Sequence, residues 1–246
     1  MFQFFNKKKF LVDYLEGFID IHNHLLPGID DGAKTVEESI TILKGFQEIG
    51  ITNFIATPHI MDGYYPNTPN SIREALTVLE NKLKIENLTN FTIEAAAEHM
   101  VDPFFESILE RNEIMPLKKD FILIEMSFLQ ASINFEEAIQ KLKKINLFPI
   151  LAHPERYSFI HKNFNNYTVY KNKGMYFQLN LLSLSNYYGT DVQKNAFKLL
   201  EHNLFDFAGT DVHNLQQLNA LKEIKIPLKI AEKLQPLINN TIYNFG

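Results

Sequence analysis

Two kinds of pattern alternate along this chain. Short apolar runs of strand length fall at about Gly17 to His22, Asn53 to Thr57, Phe91 to Ala97, Phe121 to Met126, Phe148 to Ala152, Tyr176 to Leu181 and Phe205 to Ala208. Between them lie segments with apolar residues three and four apart. Thr35-Val-Glu-Glu38 reads as a capping box opening a helix with Ile40, Leu43, Phe46 and Ile49 on one face. Asn70 or Ser71 is expected to cap a second helix carrying Ile72, Ala75, Leu76, Leu79 and Leu83. Phe135 to Ile145 and Asp191 to Glu201 predict two more, and Leu228 to Gln235 a short closing helix ended by Pro236.

Strand followed by helix, about seven times over, predicts a parallel sheet. There is no dinucleotide-binding fingerprint, and with this many units a closed (β/α) barrel is favoured over an open sheet. Repeats, low-complexity tracts and Pro/Gly/Ser-rich linkers are absent, so residues 1–246 are read as one domain with residues 1–16 as an N-terminal arm. In such barrels the chemistry sits at the C-terminal ends of the strands.

That rule directs attention to the polar residues ending each run. The first run ends in His22 and His24; residues two apart in a strand share a side, so both imidazoles can converge on one point. By itself a His-x-His pair carries little weight. The second run ends in Thr57-Pro58-His59, the third in Glu98-His99, and the fourth carries Glu125. The fifth ends in His153-Pro154-Glu155-Arg156 and the last leads into Asp211-Val212-His213. A buried imidazole or carboxylate is unfavourable unless paired or ligating, so metal-competent residues at six of seven strand ends predict a multinuclear metal site.

Each residue also has a plainer reading. Glu125 alone would be a salt-bridged carboxylate, and His59 and His153 turn residues beside prolines. His99 is expected to be exposed beside Glu98 and is left out of the ligand set, and His161 and His202 are read as surface. Glu37 and Glu38 are helix-start charges. Asp30 and Asp31 can shape the Gly28–Gly32 turn; of the two, Asp31 is expected to turn inward.

Composition narrows the chemistry. The chain has no cysteine, which excludes disulfides, thiolate metal sites and cysteine nucleophiles. Any metal must be held by His, Asp and Glu, which suits Mn, Fe, Zn or Mg. A net charge of −5 with no basic block beyond Lys7 to Lys9 argues against a dedicated nucleic-acid binder. No apolar run is long enough to span a bilayer. In Met1 to Phe10 the aromatics precede the lysines, the reverse of a secretory signal, so a cytoplasmic location is expected. Phe2, Phe4 and Phe5 are read as an arm packed on the body in preference to a membrane-surface contact.

Asp20-Ile21-His22-Asn23-His24, Thr57-Pro58-His59, Glu98, Leu123-Ile124-Glu125, Ala152-His153-Pro154-Glu155-Arg156 and Asp211-Val212-His213 resemble, in the same order, the motifs of the PHP (polymerase and histidinol phosphatase) superfamily. Leu26-Pro27-Gly28-Ile29-Asp30-Asp31-Gly32-Ala33 and His153-Pro154-Glu155-Arg156 are most similar to its CpsB/CapC branch, bacterial manganese-dependent protein-tyrosine phosphatases linked to capsule and exopolysaccharide export. The resemblance runs from about Phe18 to Asn214.

It implies a distorted (β/α)7 TIM-like barrel and three divalent metal ions, manganese first, with iron or zinc as alternatives. By motif position, His22, His24, Glu98 and Asp211 would hold one ion. Glu98 would bridge to a second completed by Glu125 and His153, and Asp31, His59 and His213 would hold the third. Arg156 would grip the phosphate and form the catalytic set with His153 and His213. The implied partner is a phosphotyrosine protein, the tyrosine-rich tail of a bacterial tyrosine autokinase; self-association is left open. Two stretches depart from the family pattern. A second arginine often follows the last Asp-x-His, and Asn214-Leu-Gln-Gln-Leu-Asn219 has none; Met61 to Asn67 is not basic.

Three divalent ions against the carboxylates of Asp31, Glu98, Glu125 and Asp211 leave a positive site, suited to a phosphate dianion. The expected reaction is in-line attack by a hydroxide held between two metals, with no covalent enzyme intermediate. A phenolate, with a pKa of about 10, leaves with little proton donation. Tyr64 and Tyr65 would either wall the site or stand as exposed loop residues. Arg156 is the only one of the chain's three arginines at a strand end. Competing readings are a small-molecule phosphatase of the same superfamily such as a histidinol-phosphatase, a PHP nuclease, which low basicity disfavours, and a non-catalytic scaffold, which would lack ligands.

Overall fold

The apolar runs become strands, two of them broken in two. In the computed structural model, residues 8–118, 120–161 and 163–246 are described. The strands are β1 (Lys8–Phe10), β2 (Ile19–Asp20), β3 (Asn53–Ala56), β4 (His59–Ile60), β5 (Thr92–Ala95), β6 (Glu98–Met100), β7 (Phe121–Glu125), β8 (Phe148–Ala152), β9 (Tyr176–Asn180), β10 (Phe207–Gly209) and β11 (Lys225–Pro227). The helices are α1 (Val36–Gln47), α2 (Pro69–Ile85), α3 (Phe105–Glu110), α4 (Phe135–Lys144), α5 (Ser158–His161), α6 (Asn165–Asn172), α7 (Thr190–Glu201), α8 (Leu215–Lys222) and α9 (Leu228–Phe245).

Parallel strands form two sheets, β2-β3-β5 and β10-β9-β8-β7-β6-β4. They are continuous with each other, because β3 runs on into β4 and β5 into β6. The second run breaks at Pro58, which has no N–H for the ladder. Bonds from Ala96 N to Ala56 O (2.8 Å) and Glu98 N to Pro58 O (3.1 Å) carry the pairing across both breaks. The ring closes where the first strand path meets the last: Asp211 N bonds His22 O at 2.7 Å and His24 N bonds Val212 O at 3.0 Å. The result is a closed, distorted (β/α)7 barrel.

The interior is an apolar plug of Ile19, Ile21, Ile55, Leu123, Ile150, Ala152 and Phe207. A larger core fills the space between strands and helices. At the N-terminal end of the strands, Phe121 meets Tyr176 (5.2 Å), Phe207 (5.3 Å) and Phe245 (5.6 Å), largely edge to face. Gly209 is set by close approach: a Cβ there would lie 2.7 Å from the His22 Cβ and 2.9 Å from Gln178 Nε2.

Several expectations are corrected. Helix α9 continues through Pro236 to Phe245 instead of ending there. An interior proline costs about 3 kcal/mol, and burial of Leu234, Leu237, Ile238 and Phe245 against the barrel offsets it. Helix α2 is capped by Thr68, not Asn70 or Ser71: Thr68 Oγ1 accepts from Ser71 N, Ser71 Oγ accepts from Thr68 N, and Pro69 takes the first helical position. Short helix α8, capped by Asn214, was not among the expected elements. Of the N-terminal arm, Phe2, Phe4, Phe5 and Lys7 lie outside the described residues. Lys8–Phe10 pair antiparallel with Lys225–Pro227, and Leu11 and Leu15 are buried. Among the described residues no helix is long and apolar enough to cross a membrane.

Candidate active site

The C-terminal ends of the strands bring the imidazoles and carboxylates together. Glu98, at the start of β6, is central. Its Oε2 lies 3.1 Å from His22 Nε2, 3.2 Å from His59 Nδ1 and 3.7 Å from His24 Nε2, and its Oε1 lies 3.1 Å from His153 Nε2. Asp211 Oδ1 is 3.2 Å from His22 Nε2, 3.3 Å from His24 Nε2 and 3.6 Å from His213 Nδ1. Glu125 Oε1 is 2.9 Å from His59 Nδ1. Asp31 Oδ1 faces His59 Nε2 at 3.4 Å and His213 Nε2 at 3.5 Å. His153 and Asp211 both hold left-handed backbone, at φ 36° and 54°, a conformation unfavourable for residues with a Cβ.

Three sets of donors are close enough to share an ion: His22, His24, Glu98 and Asp211; His59, Glu98 and Glu125; and His24, Asp31, His59 and His213. All nine expected ligands are thus in one region, with differences of grouping. His59, not His153, stands beside Glu125, while His153 hydrogen-bonds the other oxygen of Glu98. His24 joins the set of Asp31, His59 and His213. The two aspartates divide: Asp30 is buried and holds His24, and Asp31 sits half-exposed at the mouth.

The donor chemistry fits metal ions. Nine buried side-chain N or O atoms lack a hydrogen-bond partner among the described residues. Five of them, His22 Nε2, His24 Nε2, His59 Nδ1, Glu98 Oε2 and Glu125 Oε1, converge here, facing one another across N···O distances of 2.9 to 3.7 Å without hydrogen-bond geometry. Leaving such atoms unsatisfied is costly. The opposite ring nitrogens are held. His22 Nδ1 meets Gln178 Oε1 at 2.8 Å, His24 Nδ1 meets Asp30 Oδ2 at 2.8 Å, and His213 Nδ1 meets Asp211 O at 2.9 Å. An acceptor on Nδ1 fixes the tautomer and leaves the Nε2 lone pair for an ion. His99 is the contrast. It is buried, not exposed as expected, and both its nitrogens are used within the protein: Nδ1 donates to Leu123 O at 3.0 Å and Nε2 accepts from Met115 N at 3.2 Å. His161, expected at the surface, is partly buried with Nε2 on Glu155 O at 2.5 Å; His202 is exposed.

Charge compensation runs through the cluster. Burial works against a charge on His22, but the carboxylates of Glu98 and Asp211 prevail and raise its pKa to about 9. His59 is likewise raised to about 9, against burial, by Glu125 and Glu98. For Glu98 and Asp211 burial opposes ionisation, yet the adjoining histidines hold both well below the usual carboxylate range. Burial and the neighbouring His24 lower His213 to about 4.

Residues that the sequence reading did not single out hold the site in place. Gln178 and Asn180, two apart on β9, support His22 and Asp211; Asn180 Nδ2 donates to Asp211 Oδ2 at 2.8 Å. Asp20 ties the first strand path to the last through Thr210, accepting from its backbone N (2.9 Å) and its hydroxyl (2.6 Å). The visible signal was the even spacing of Tyr176, Gln178 and Asn180, which puts two amides on the side that carries ligands elsewhere.

A cleft of about 500 Å³ opens over this cluster, lined by Asp31, Asp62, Tyr64, Tyr65, Phe128 and Arg156 among others. Arg156 Nη1 donates to Asp211 Oδ2 at 2.7 Å. Its guanidinium lies between the rings of Phe128 (4.5 Å) and Tyr188 (4.1 Å), which fixes its plane. Tyr65 stacks on His59 with ring centroids 5.4 Å apart, and Tyr64 stands largely exposed at the mouth. The two tyrosines therefore play different parts, one inside the wall and one on the rim.

The chain is similar in sequence and fold to known proteins. The family model described as capsular polysaccharide synthesis, CpsB/CapC, matches residues 18–226. Tyrosine-protein phosphatase YwqE of Bacillus subtilis (strain 168) is 30% identical over 201 residues, covering 82% of this chain and 79% of that protein. The putative tyrosine-protein phosphatase CapC of Staphylococcus aureus is 29% identical over 198 residues, covering 80% and 77%. A crystal structure from work on YwqE of Bacillus subtilis and CpsB of Streptococcus pneumoniae, described as unique metal-dependent tyrosine phosphatases, superposes with a TM-score of 0.74. It is 29% identical and covers 90% of this chain and 94% of its own. The matched segment contains every residue of the cluster from His22 to His213, and the chain belongs to the CpsB/CapC family.

Proposed function

We propose that this chain is a metal-dependent phosphatase that hydrolyses phosphotyrosine on a protein. The observation that carries the reading is the convergence of buried ring nitrogens and carboxylate oxygens around Glu98 and Asp211, in close N···O contact but without hydrogen bonds to occupy them, beside a stacked arginine. Three divalent ions, manganese first, are the proposed cofactors. His22, His24, Glu98 and Asp211 would hold one; His59, Glu98 and Glu125, with His153 adjoining, a second; and His24, Asp31, His59 and His213 a third. When bound, such ions neutralise phosphoryl charge and acidify water, supplying a nucleophile near neutral pH.

The chain's own groups do the rest. Arg156 presents a planar fork matched to two phosphoryl oxygens, and its stacking rings keep that fork from turning away. With one edge engaged by Asp211, the guanidinium lines the cleft. Phe128 and Tyr65 offer apolar faces to an aromatic ring. A phenolate needs little proton donation on leaving, so a strong general acid is not required. By family, the proposed partner is the tyrosine-rich tail of a bacterial tyrosine kinase. The deciding experiment reloads purified protein with Mn²⁺ and compares a phosphotyrosine peptide with histidinol phosphate. Faster turnover of the peptide is expected; preference for histidinol phosphate would sink the proposal in favour of a small-molecule phosphatase.

A further inference from the structure

The cleft mouth is bordered by two loops with unusual exposed surface. The first is the hairpin after β4, closed by reciprocal 2.9 Å backbone bonds between Met61 and Tyr65 and turned at Gly63, whose φ of 72° suits glycine. It holds Tyr64 outward, 78% exposed. The second joins β7 to α4. Its sequence, Ser127-Phe-Leu-Gln-Ala-Ser-Ile-Asn134, contains no charged residue. Phe128 turns into the cleft over Arg156, while Leu129 is 82% exposed and Ile133 fully so.

Asp102 fixes both loops. Its Oδ2 accepts from Asp62 N at 3.0 Å and its backbone oxygen accepts from Asn134 Nδ2 at 2.8 Å. Ser158 Oγ donates to Phe128 O at 3.1 Å, anchoring the second loop again. The hairpin and the uncharged loop are therefore both tied to Asp102, which itself lines the cleft, and together they border it as one rim. Scattered exposed apolar residues are ordinary. This set is distinguished by its attachment to the cleft: Tyr64 and Phe128 line it, Leu129 follows Phe128 directly, and Ile133 stands on the same loop next to Asn134, which Asp102 holds.

We propose that this rim is a docking surface for the substrate polypeptide beside the phosphotyrosine, taking apolar side chains onto Leu129 and Ile133. The inference rests on the phosphatase reading above. An extended chain advances about 3.3 Å per residue, so residues one to three positions from the phosphotyrosine come within reach of the rim. Asp62, in the same lining and outside the ligand sets, disfavours acidic neighbours there.

The test uses the Mn²⁺-loaded full chain and its double variant Leu129→Ser/Ile133→Ser, both residues being clear of the metal cluster. Three substrates are compared: para-nitrophenyl phosphate, a phosphotyrosine peptide with Leu and Ile at the flanking positions, and the same peptide with Ser there. For the wild type, the apolar peptide should have a KM about tenfold below the serine peptide, the effect of burying part of one or two aliphatic side chains. The variant should lose that gap while kcat/KM for para-nitrophenyl phosphate stays unchanged. Equal KM values in the wild type, or a gap that survives in the variant, overturns the docking surface. If the gap is absent and wild type but not variant sediments with anionic lipid vesicles, the rim is a lipid contact instead. No turnover of any of the three overturns the phosphatase reading itself, and the docking surface with it.

Discussion

The two ends of the barrel are built by the same strands and obey opposite rules. Along β7 the side chains Phe121, Leu123 and Glu125 alternate onto one side; along β9, Tyr176, Gln178 and Asn180; along β10 and its extension, Phe207, Gly209 and Asp211. Read from the N-terminal end, each series passes from aromatic to polar. At the aromatic end Phe121, Tyr176, Phe207 and Phe245 satisfy one another by packing. At the polar end buried nitrogens and oxygens crowd together without hydrogen bonds, and two backbones sit in the left-handed region. The aromatic end supplies the stability that the unsatisfied end consumes, as expected where a folded scaffold carries a strained site.

That contrast can be broken at either end. The largest effect is expected from the ligand sets. His22→Ala or Asp211→Asn should lower turnover of a phosphotyrosine peptide on the order of a thousandfold, measured on metal-reloaded protein that circular dichroism shows to be folded; unchanged turnover would remove the cluster from catalysis. At the other end, Phe245→Ala should destabilise the fold by about 3–5 kcal/mol in denaturant titration, with kcat at low temperature preserved. A collapse of kcat without loss of stability would show that the two ends are not separable.

Smaller changes sharpen the comparison. Gln178→Leu removes the acceptor on His22 Nδ1 and should weaken metal affinity by about 10–100-fold in a chelator competition, with little change in far-UV circular dichroism. Arg156→Ala is expected to raise KM by about tenfold while metal content stays as in the wild type. If neither KM nor kcat moves, Arg156 does not touch the substrate.

Much of the candidate site was legible because strand periodicity is local. His22 with His24, and Glu125 at the close of an apolar run, announce themselves within a few residues. Other features were hidden by distance. Gln178 is 156 residues from His22, and nothing near it in sequence says that its amide will steady that ring. His99 and Glu98 are neighbours, yet one is consumed by backbone partners and the other faces the cluster. Helix α9 passes through Pro236 because the burial that overrides the proline comes from packing on β10, α7 and the N-terminal strands, which the helix's own sequence does not display.

The chain by itself determined the class of fold, the chemical kinds of candidate ligand and the end of the barrel they occupy, since all three follow from hydrophobic period and residue type. Only the tertiary structure decided the pairing. It placed His59 rather than His153 beside Glu125, gave Asp30 to His24 and Asp31 to the mouth, and stacked Arg156 between Phe128 and Tyr188. These choices depend on how each strand path turns at Pro58, His153 and Asp211, and on which distant side chains then come within reach.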